Sequence, residues 1–191
     1  KGEKHYDPKS VFDMIKKQKA LNFQPGARYE YVNSNYVLLA LIAERVTKMQ
    51  FADFMQLEVF SKLGMSDSRI FNDDPTASDA KGHYNTGGNY KKNKRFIPAF
   101  GSTGVMLSLR DAIKLEQNLQ GADPLISLDT LLKQDGVVPL LKAYKRGLEH
   151  YPLNGYEVVS HFGSDPGFRA DIVRFPKQKL SIIIFSNAGD Y

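Results

Sequence analysis

The run Leu180-Ser181-Ile182-Ile183-Ile184-Phe185 places bulky apolar side chains at almost every position. Successive residues of a strand point to opposite faces, so both faces of this segment need cover. It is therefore expected inside a sheet, with a strand on each side and layers above and below. The turn at Pro176-Lys177-Gln178-Lys179 supplies one neighbour. The sequence closes at Tyr191 before any further element covers the sheet, so truncation at this end is expected. Alternating patterns from Ala143 to Glu149, Tyr156 to His161 and Phe168 to Phe175 give the other strands, with Asp165-Pro166-Gly167 as a second turn.

The part before these strands reads as helices and loops. Asp7-Pro8 is a cap followed by proline at the first helical position, and Val11, Met14 and Ile15 share a face of a helix running to about Lys19. After the Pro25-Gly26 turn and a short aromatic segment ending at Tyr31, Asn33-Ser34-Asn35 supplies oxygens able to cap a helix from Asn35 to Lys48. That helix is apolar at Tyr36, Val37, Leu38, Leu39, Leu41, Ile42 and Val46, a face wide enough to predict burial and a rigidly held N-terminus. Phe51 to Leu63 predicts an amphipathic helix with Phe54, Met55, Val59 and Phe60 inward, stopped by Gly64. Residues 67–100 form a long polar loop region with room for one short strand, and loops of that length usually carry function or cover a site. Ser108 and Asp111 start a helix in capping-box fashion, with Ile113, Leu115 and Leu119 inward to about Leu119, and a short helix follows from Leu128 to Lys133. Helices first and antiparallel strands last predict an α+β fold, an antiparallel sheet flanked by helices. It is read as one partial domain over 1–191, mainly helix and loop in 1–142 and antiparallel strands in 143–191.

Composition removes several function classes. With no cysteine there is no disulfide, thiol nucleophile or cysteine-held zinc. The acidic run Asn72-Asp73-Asp74-Pro75 lacks the spacing of a calcium loop, and Gly101-Ser102-Thr103-Gly104 lacks the ending of a phosphate-binding loop, so neither metal nor cofactor is expected. A net charge of +5 raises the question of a polyanion. The cluster Lys91-Lys92-Asn93-Lys94-Arg95, beside Tyr84 and Tyr90, is better read as a solvated loop than as a phosphate patch, and no nucleic-acid partner is expected. The apolar runs are far shorter than the roughly 20 residues that span a bilayer. The opening Lys1-Gly2-Glu3-Lys4-His5 has no apolar leader core, as expected of a chain cut from something longer.

Two stretches have chemical potential. Tyr31-Val32-Asn33 sits where a loop becomes a helix, either as a packed tyrosine before a helix cap or as a rigidly placed phenol beside N-H groups that favour an anion. His161-Phe162-Gly163-Ser164 ends a strand before Asp165-Pro166-Gly167. It is either a histidine before an ordinary turn or an imidazole and a backbone N-H beside a cleft.

Taken together with Pro25-Gly26, Tyr29, Tyr36-x-Leu38-Leu39, Leu63-Gly64-Met65, the block from Gly104 to Asp111, and Pro166-Gly167-Phe168, these stretches resemble the serine β-lactamase-related hydrolases. That family takes in class C β-lactamases, D-Ala-D-Ala peptidases and esterases of the same fold. The resemblance covers nearly the whole chain. It implies a β-lactamase/DD-peptidase-like fold with a helical subdomain, truncated at both ends, and an acyl-serine mechanism on ester or amide substrates. Tyr31 would be the proton-transfer phenol and Asn33 would orient a substrate amide or a lysine. His161 and Gly163 would form the third motif, and the Ser164 N-H one half of an oxyanion hole. A phenol, with an ordinary pKa of about 10, needs cationic neighbours to act as a base at neutral pH.

Two departures qualify the resemblance. The only Ser-x-x-Lys, Ser78-Asp79-Ala80-Lys81, follows the tyrosine motif inside the polar loop, where the family places its nucleophile well before it. This chain alone is therefore expected to be inactive. Phe162 stands where the family often has a hydroxyl that binds a substrate carboxylate, which points to ester or peptide substrates ahead of β-lactams. The alternative is a non-catalytic module of the same fold holding peptidoglycan-like or peptide ligands. The resemblance favours a periplasmic or extracellular compartment.

Overall fold

A computed structural model describes residues 7–71, 79–93, 99–133 and 144–189. Ser78, the acidic run at 72–75, Lys94 and Arg95 of the basic cluster, Ala143 and the polar start at 1–5 lie outside the described residues. The elements in chain order are α1 (Pro8–Lys16), α2 (Asn33–Thr47), α3 (Phe51–Met55), β1 (Arg69–Ile70), β2 (His83–Asn85), β3 (Tyr90–Lys92) and β4 (Val105–Met106). Then come α4 (Leu109–Leu119), α5 (Leu128–Leu132), β5 (Tyr144–Lys145), β6 (Leu148–Leu153), β7 (Tyr156–Asp165), β8 (Phe168–Phe175) and β9 (Leu180–Ser186). The chain forms two compact units, Lys1–Asp79 with Arg95–Asp111, and Ala80–Lys94 with Ala112–Tyr191.

In the first unit α1 starts as its sequence predicts. The Asp7 carboxylate accepts from the Ser10 N-H at 2.6 Å and Pro8 takes the first turn. Helix α2 begins two residues earlier than expected, and its cap is Val32, in extended conformation with no side-chain bond. Asn33, Ser34 and Asn35 thus occupy the first turn instead of capping it. The burial expected of α2 is corrected as well: Val37 and Ala40 are buried, while Leu39, Ile42 and Val46 form an exposed stripe. A face this wide needs cover on two sides; α1 and α3 pack against it, and the turn at Gly101 lies on its backbone. The helix predicted from Phe51 to Leu63 is α3 followed by a π-helical stretch that ends at Phe60, and a turn leads on to Gly64 with φ of 65°.

A tight contact supports the start of α2. Gly101 has φ of +96°, and a Cβ there would lie 2.5 Å from the Tyr36 carbonyl oxygen and 2.8 Å from Ala40 Cβ. Only glycine lets this turn lie against the helix backbone. The Ser108 hydroxyl accepts from the Asp111 N-H at 3.1 Å, as its capping role predicts. The Asp111 carboxylate is instead turned to the 67–68 segment, accepting from the Asp67 N-H and the Ser68 hydroxyl, each at 2.8 Å.

The second unit holds a five-stranded antiparallel sheet in the order β5-β6-β7-β8-β9. The strand expected from Ala143 to Glu149 is a hairpin, β5 and β6 joined by Arg146 and Gly147 with φ of 44° and 86°. Two consecutive positive φ values match the right-handed twist of the flanking strands. The strand expected to end at His161 continues to Asp165. Strand β9 lies at the sheet edge beside β8, not in its interior, and Leu180, Ile182 and Ile184 are exposed. Its apolar residues signal that cover is needed, but no described strand pairs with its outer side.

One sheet face is covered by Leu115 and Leu119 of α4 and by Leu128, Leu131 and Leu132 of α5, which pack on Leu148 and Val159. Ile113, expected inward, is exposed, and Glu116 is buried on the face that carries Ala112 and Leu119. Arg174 of β8 makes this possible. Its Nε and Nη2 donate to the two Glu116 oxygens at 2.8 and 2.6 Å, and Ser181 of β9 donates to the same carboxylate at 3.0 Å.

The polar loop holds more structure than the one strand expected, with β2 and β3 forming a hairpin in this unit. The His83 N-H donates to the Gly167 and Asn187 carbonyls at 3.2 and 2.9 Å, the Gly189 N-H donates to the His83 carbonyl at 2.9 Å, and Asn93 Nδ2 donates to the Pro166 carbonyl at 2.9 Å. Three backbones meet here without side chains between them. A Cβ on Gly167 would lie 2.8 Å from Gly82 Cα, and one on Gly189 2.8 Å from Gly167 Cα. The Pro166-Gly167 turn after β7 is thereby clamped. Gly167→Ala, which adds crowding to a positive φ, is expected to destabilise the protein containing this chain by about 2 kcal/mol or more in denaturant unfolding. Gly155→Ala, with a similar φ of +81° but nothing within 4 Å, is the comparison and should cost less. Equal losses would mean that the backbone crossing contributes nothing.

Candidate active site

Tyr31 and Asn33 belong to the first unit. The Pro25-Gly26 turn, closed by the Ala27 N-H on the Gln24 carbonyl at 3.0 Å, reverses the chain into an extended segment. Arg28 of that segment lies 4.6 Å from the centre of the Phe23 ring and pairs with Glu30. Tyr31 then precedes α2 by two residues with its side chain half-exposed, and Asn33 is the exposed first residue of the helix. A phenol and an amide thus stand at the positive end of a helix dipole, where developing negative charge is favoured.

His161, Phe162, Gly163 and Ser164 belong to the second unit, on the far part of β7. Pairing between β6 and β7 ends at Glu149 opposite Ser160, while β8 continues alongside to Asp165. Among the described residues, no strand pairs with His161 to Asp165 on the side away from β8. Among the described residues this stretch is an open sheet edge, the kind of backbone on which an extended ligand can add a strand. Gly163 faces Ala170, and a Cβ there would meet Ala170 Cβ at an ordinary 3.5 Å. Packing therefore does not force glycine at 163, and its missing side chain leaves the backbone uncovered.

Phe162 is 59% exposed, so its ring is not a core residue, and it stacks on the His161 ring at 6.0 Å with 20° between the planes. His161 is half-buried. Burial pushes its pKa below the ordinary 6.5, the Glu149 carboxylate and a backbone hydrogen bond at Phe162 pull the other way, and Arg174 adds to the depression. The balance favours the neutral imidazole at pH 7. At the strand's end burial pushes the Asp165 carboxyl up, against the pull of the Arg169 guanidinium.

The tilted ring of Tyr144 completes this cluster, with its hydroxyl 3.1 Å from His161 Nε2. Sequence reasoning gave Tyr144 no role, because a tyrosine on a short strand carries no local signal of its cross-sheet partner. Nor did it single out Gly82 and Gly189, whose contact with Gly167 joins segments far apart in the chain. Among the described residues, no group of three His, Asp or Glu side chains is placed to hold a metal. An open cavity of about 510 Å³ lies at the opposite end of β7, lined by His150, Tyr151, Tyr156, Glu157 and Lys177, and includes none of the candidate residues.

A sequence model of the Beta-lactamase family matches residues 2–191. The D-aminopeptidase of Brucella anthropi is 26% identical over 199 residues, covering 95% of this chain and 37% of that protein. Penicillin-binding protein 4* of Bacillus subtilis is 27% identical over 191 residues, covering 86% and 41%. Among solved structures, the octameric penicillin-binding protein homologue from Pyrococcus abyssi superposes with a TM-score of 0.80 at 23% identity, over 95% of this chain and 44% of that one. The D-amino acid amidase from Ochrobactrum anthropi superposes with a TM-score of 0.76 at 20% identity, over 100% and 58%. The chain spans about two fifths of the curated relatives it matches. Its helices and antiparallel sheet have the β-lactamase and penicillin-binding-protein fold, and the chain belongs to the Beta-lactamase family.

Proposed function

We propose that the protein containing this chain is a serine hydrolase that forms an acyl-enzyme on neutral amide or ester substrates, and that its nucleophile is not among these 191 residues. Tyr31 is the phenol that moves the proton, Asn33 orients the substrate amide, His161 and Phe162 form a wall, and Gly163 and Ser164 offer backbone to the substrate. The exposure pattern carries this reading. A structural tyrosine and an ordinary strand end would be buried, yet Tyr31 is half-exposed at a helix start and residues 162–164 are exposed on an edge that no described strand covers. Similarity to a D-aminopeptidase and a D-amino acid amidase supports amides as the substrate class. The wall supports neutrality of the substrate, since phenylalanine donates no hydrogen bond and a neutral imidazole offers a carboxylate no charge.

Tyr31→Phe keeps the ring and removes the hydroxyl. A proton-transfer role predicts a loss of about 10²- to 10⁴-fold in kcat with little change in the denaturation midpoint. Unchanged turnover on the best amide would remove Tyr31 from the mechanism.

Phe162→Thr restores a hydroxyl to the wall. A hydrogen bond to a charged group contributes about 1.5 to 3 kcal/mol, so kcat/KM for a carboxylate-bearing substrate should rise at least about tenfold relative to a neutral amide. In the wild type, lowering the pH from 7.5 to 6.5 should improve the carboxylate substrate little, because a histidine whose pKa lies below the ordinary 6.5 stays mostly neutral down to that pH. A wild type that already prefers the anionic substrate, or a ratio unmoved by threonine, would contradict the reading.

A further inference from the structure

We propose that Tyr144 is a positioning residue that fixes His161 in one orientation and one tautomer, with the proton on Nδ1 and Nε2 accepting from the phenol. The inference rests on the reading of His161 as part of the substrate wall, but its geometry stands by itself. The Tyr144 hydroxyl lies 3.1 Å from Nε2, and the two rings are 5.8 Å apart and tilted by 60°, so the contact runs from the hydroxyl into the ring edge. A neutral imidazole has one donor and one acceptor nitrogen, and its unprotonated nitrogen is a better acceptor than a phenol oxygen. Tyr144 therefore donates and Nε2 accepts. A backbone hydrogen bond at Phe162 favours the protonated ring, as a ring N-H given to a carbonyl would. With Nε2 taken by the phenol, that N-H is assigned to Nδ1. Glu149 of β6 and Arg174 of β8 act on the ring with opposite signs.

With both nitrogens committed, the ring is held in place for Phe162 to stack on it at 6.0 Å. It is also withheld from two tasks a histidine at a site usually performs, anchoring a carboxylate and exchanging protons with the substrate. Tyr144 would thus select for neutral substrates by keeping a neighbour uncharged and occupied. It acts through His161.

The experiment is ¹⁵N spectroscopy of the histidine-labelled protein containing this chain, with the His161 signals assigned by their loss in His161→Gln. The wild type should show a protonated Nδ1 and an unprotonated Nε2. Tyr144→Phe removes a bond of about 1 kcal/mol, so the excess of the Nδ1-H tautomer should fall about fivefold. The His161 titration midpoint should also move upward, because a bond to the neutral form is gone. A proton on Nε2 in the wild type, or a tautomer ratio unchanged in Tyr144→Phe, overturns the proposal. If the spectra behave as expected but Tyr144→Phe leaves the preference for neutral over carboxylate substrates unmoved at pH 6, the positioning role stands and His161's place in the wall is lost.

Discussion

The sheet of the second unit depends on the ion pair between Glu116 and Arg174. Both side chains are almost fully buried, and removing two charges from water costs several kcal/mol per ion unless geometry and further hydrogen bonds compensate. Here the pair is bidentate, Ser181 donates to the same carboxylate, and Gln120 donates to Ser181 at 2.9 Å, which offsets part of that cost, while Arg174 Nη1 is buried without a hydrogen-bond partner. One network therefore joins α4, β8 and β9. Strand β8 then sets the register of β7, placing Ser160 opposite Val173, His161 opposite Ile172 and Ser164 opposite Arg169. The candidate wall residues thus lie on a strand whose register is set by the one that carries Arg174.

A second constraint acts at the end of the same strand. Gly82, Gly167 and Gly189 come from the polar loop, the β7-β8 turn and the segment after β9, and they approach closely because none carries a side chain. The polar loop, expected to hold one short strand at most, is thus partly a clamp. Its hairpin strand β2 hydrogen-bonds the turn that follows His161 to Ser164. In the first unit Gly101 serves the start of α2 in a similar way, lying against the Tyr36 carbonyl just after Tyr31 and Asn33. In each unit the exposed chemical groups sit beside a backbone held by glycine.

Local chemistry made much of this legible. Asp7 and Pro8 start α1, Ser108 caps α4, and Pro166-Gly167 turns between two strands, because caps and tight turns are decided by residues a few positions apart. What was misread depends on partners distant in sequence. The burial of Glu116 had no local signal, because its partner Arg174 is 58 residues away. Strand β9 and helix α2 were assigned interior places from their apolar faces, yet apolarity reports the need for cover and not what supplies it. The β5-β6 hairpin was missed because Arg146 is a poor turn signal beside Gly147. For the site, the spacing of Tyr31-x-Asn33 and His161-x-Gly163 pointed to the right family, whereas Tyr144 carried no signal at all.

On the proposed reading, the chain is one part of an acyl-transfer enzyme and supplies the phenol, amide and substrate wall but not the nucleophile. Intact-mass and peptide mapping of the whole protein after reaction with a fluorophosphonate tests that claim most directly. The account predicts one covalent adduct per protein, mapping to a serine outside residues 1–191. An adduct on a serine within these residues, Ser78 included, or no adduct on an active preparation, would contradict it.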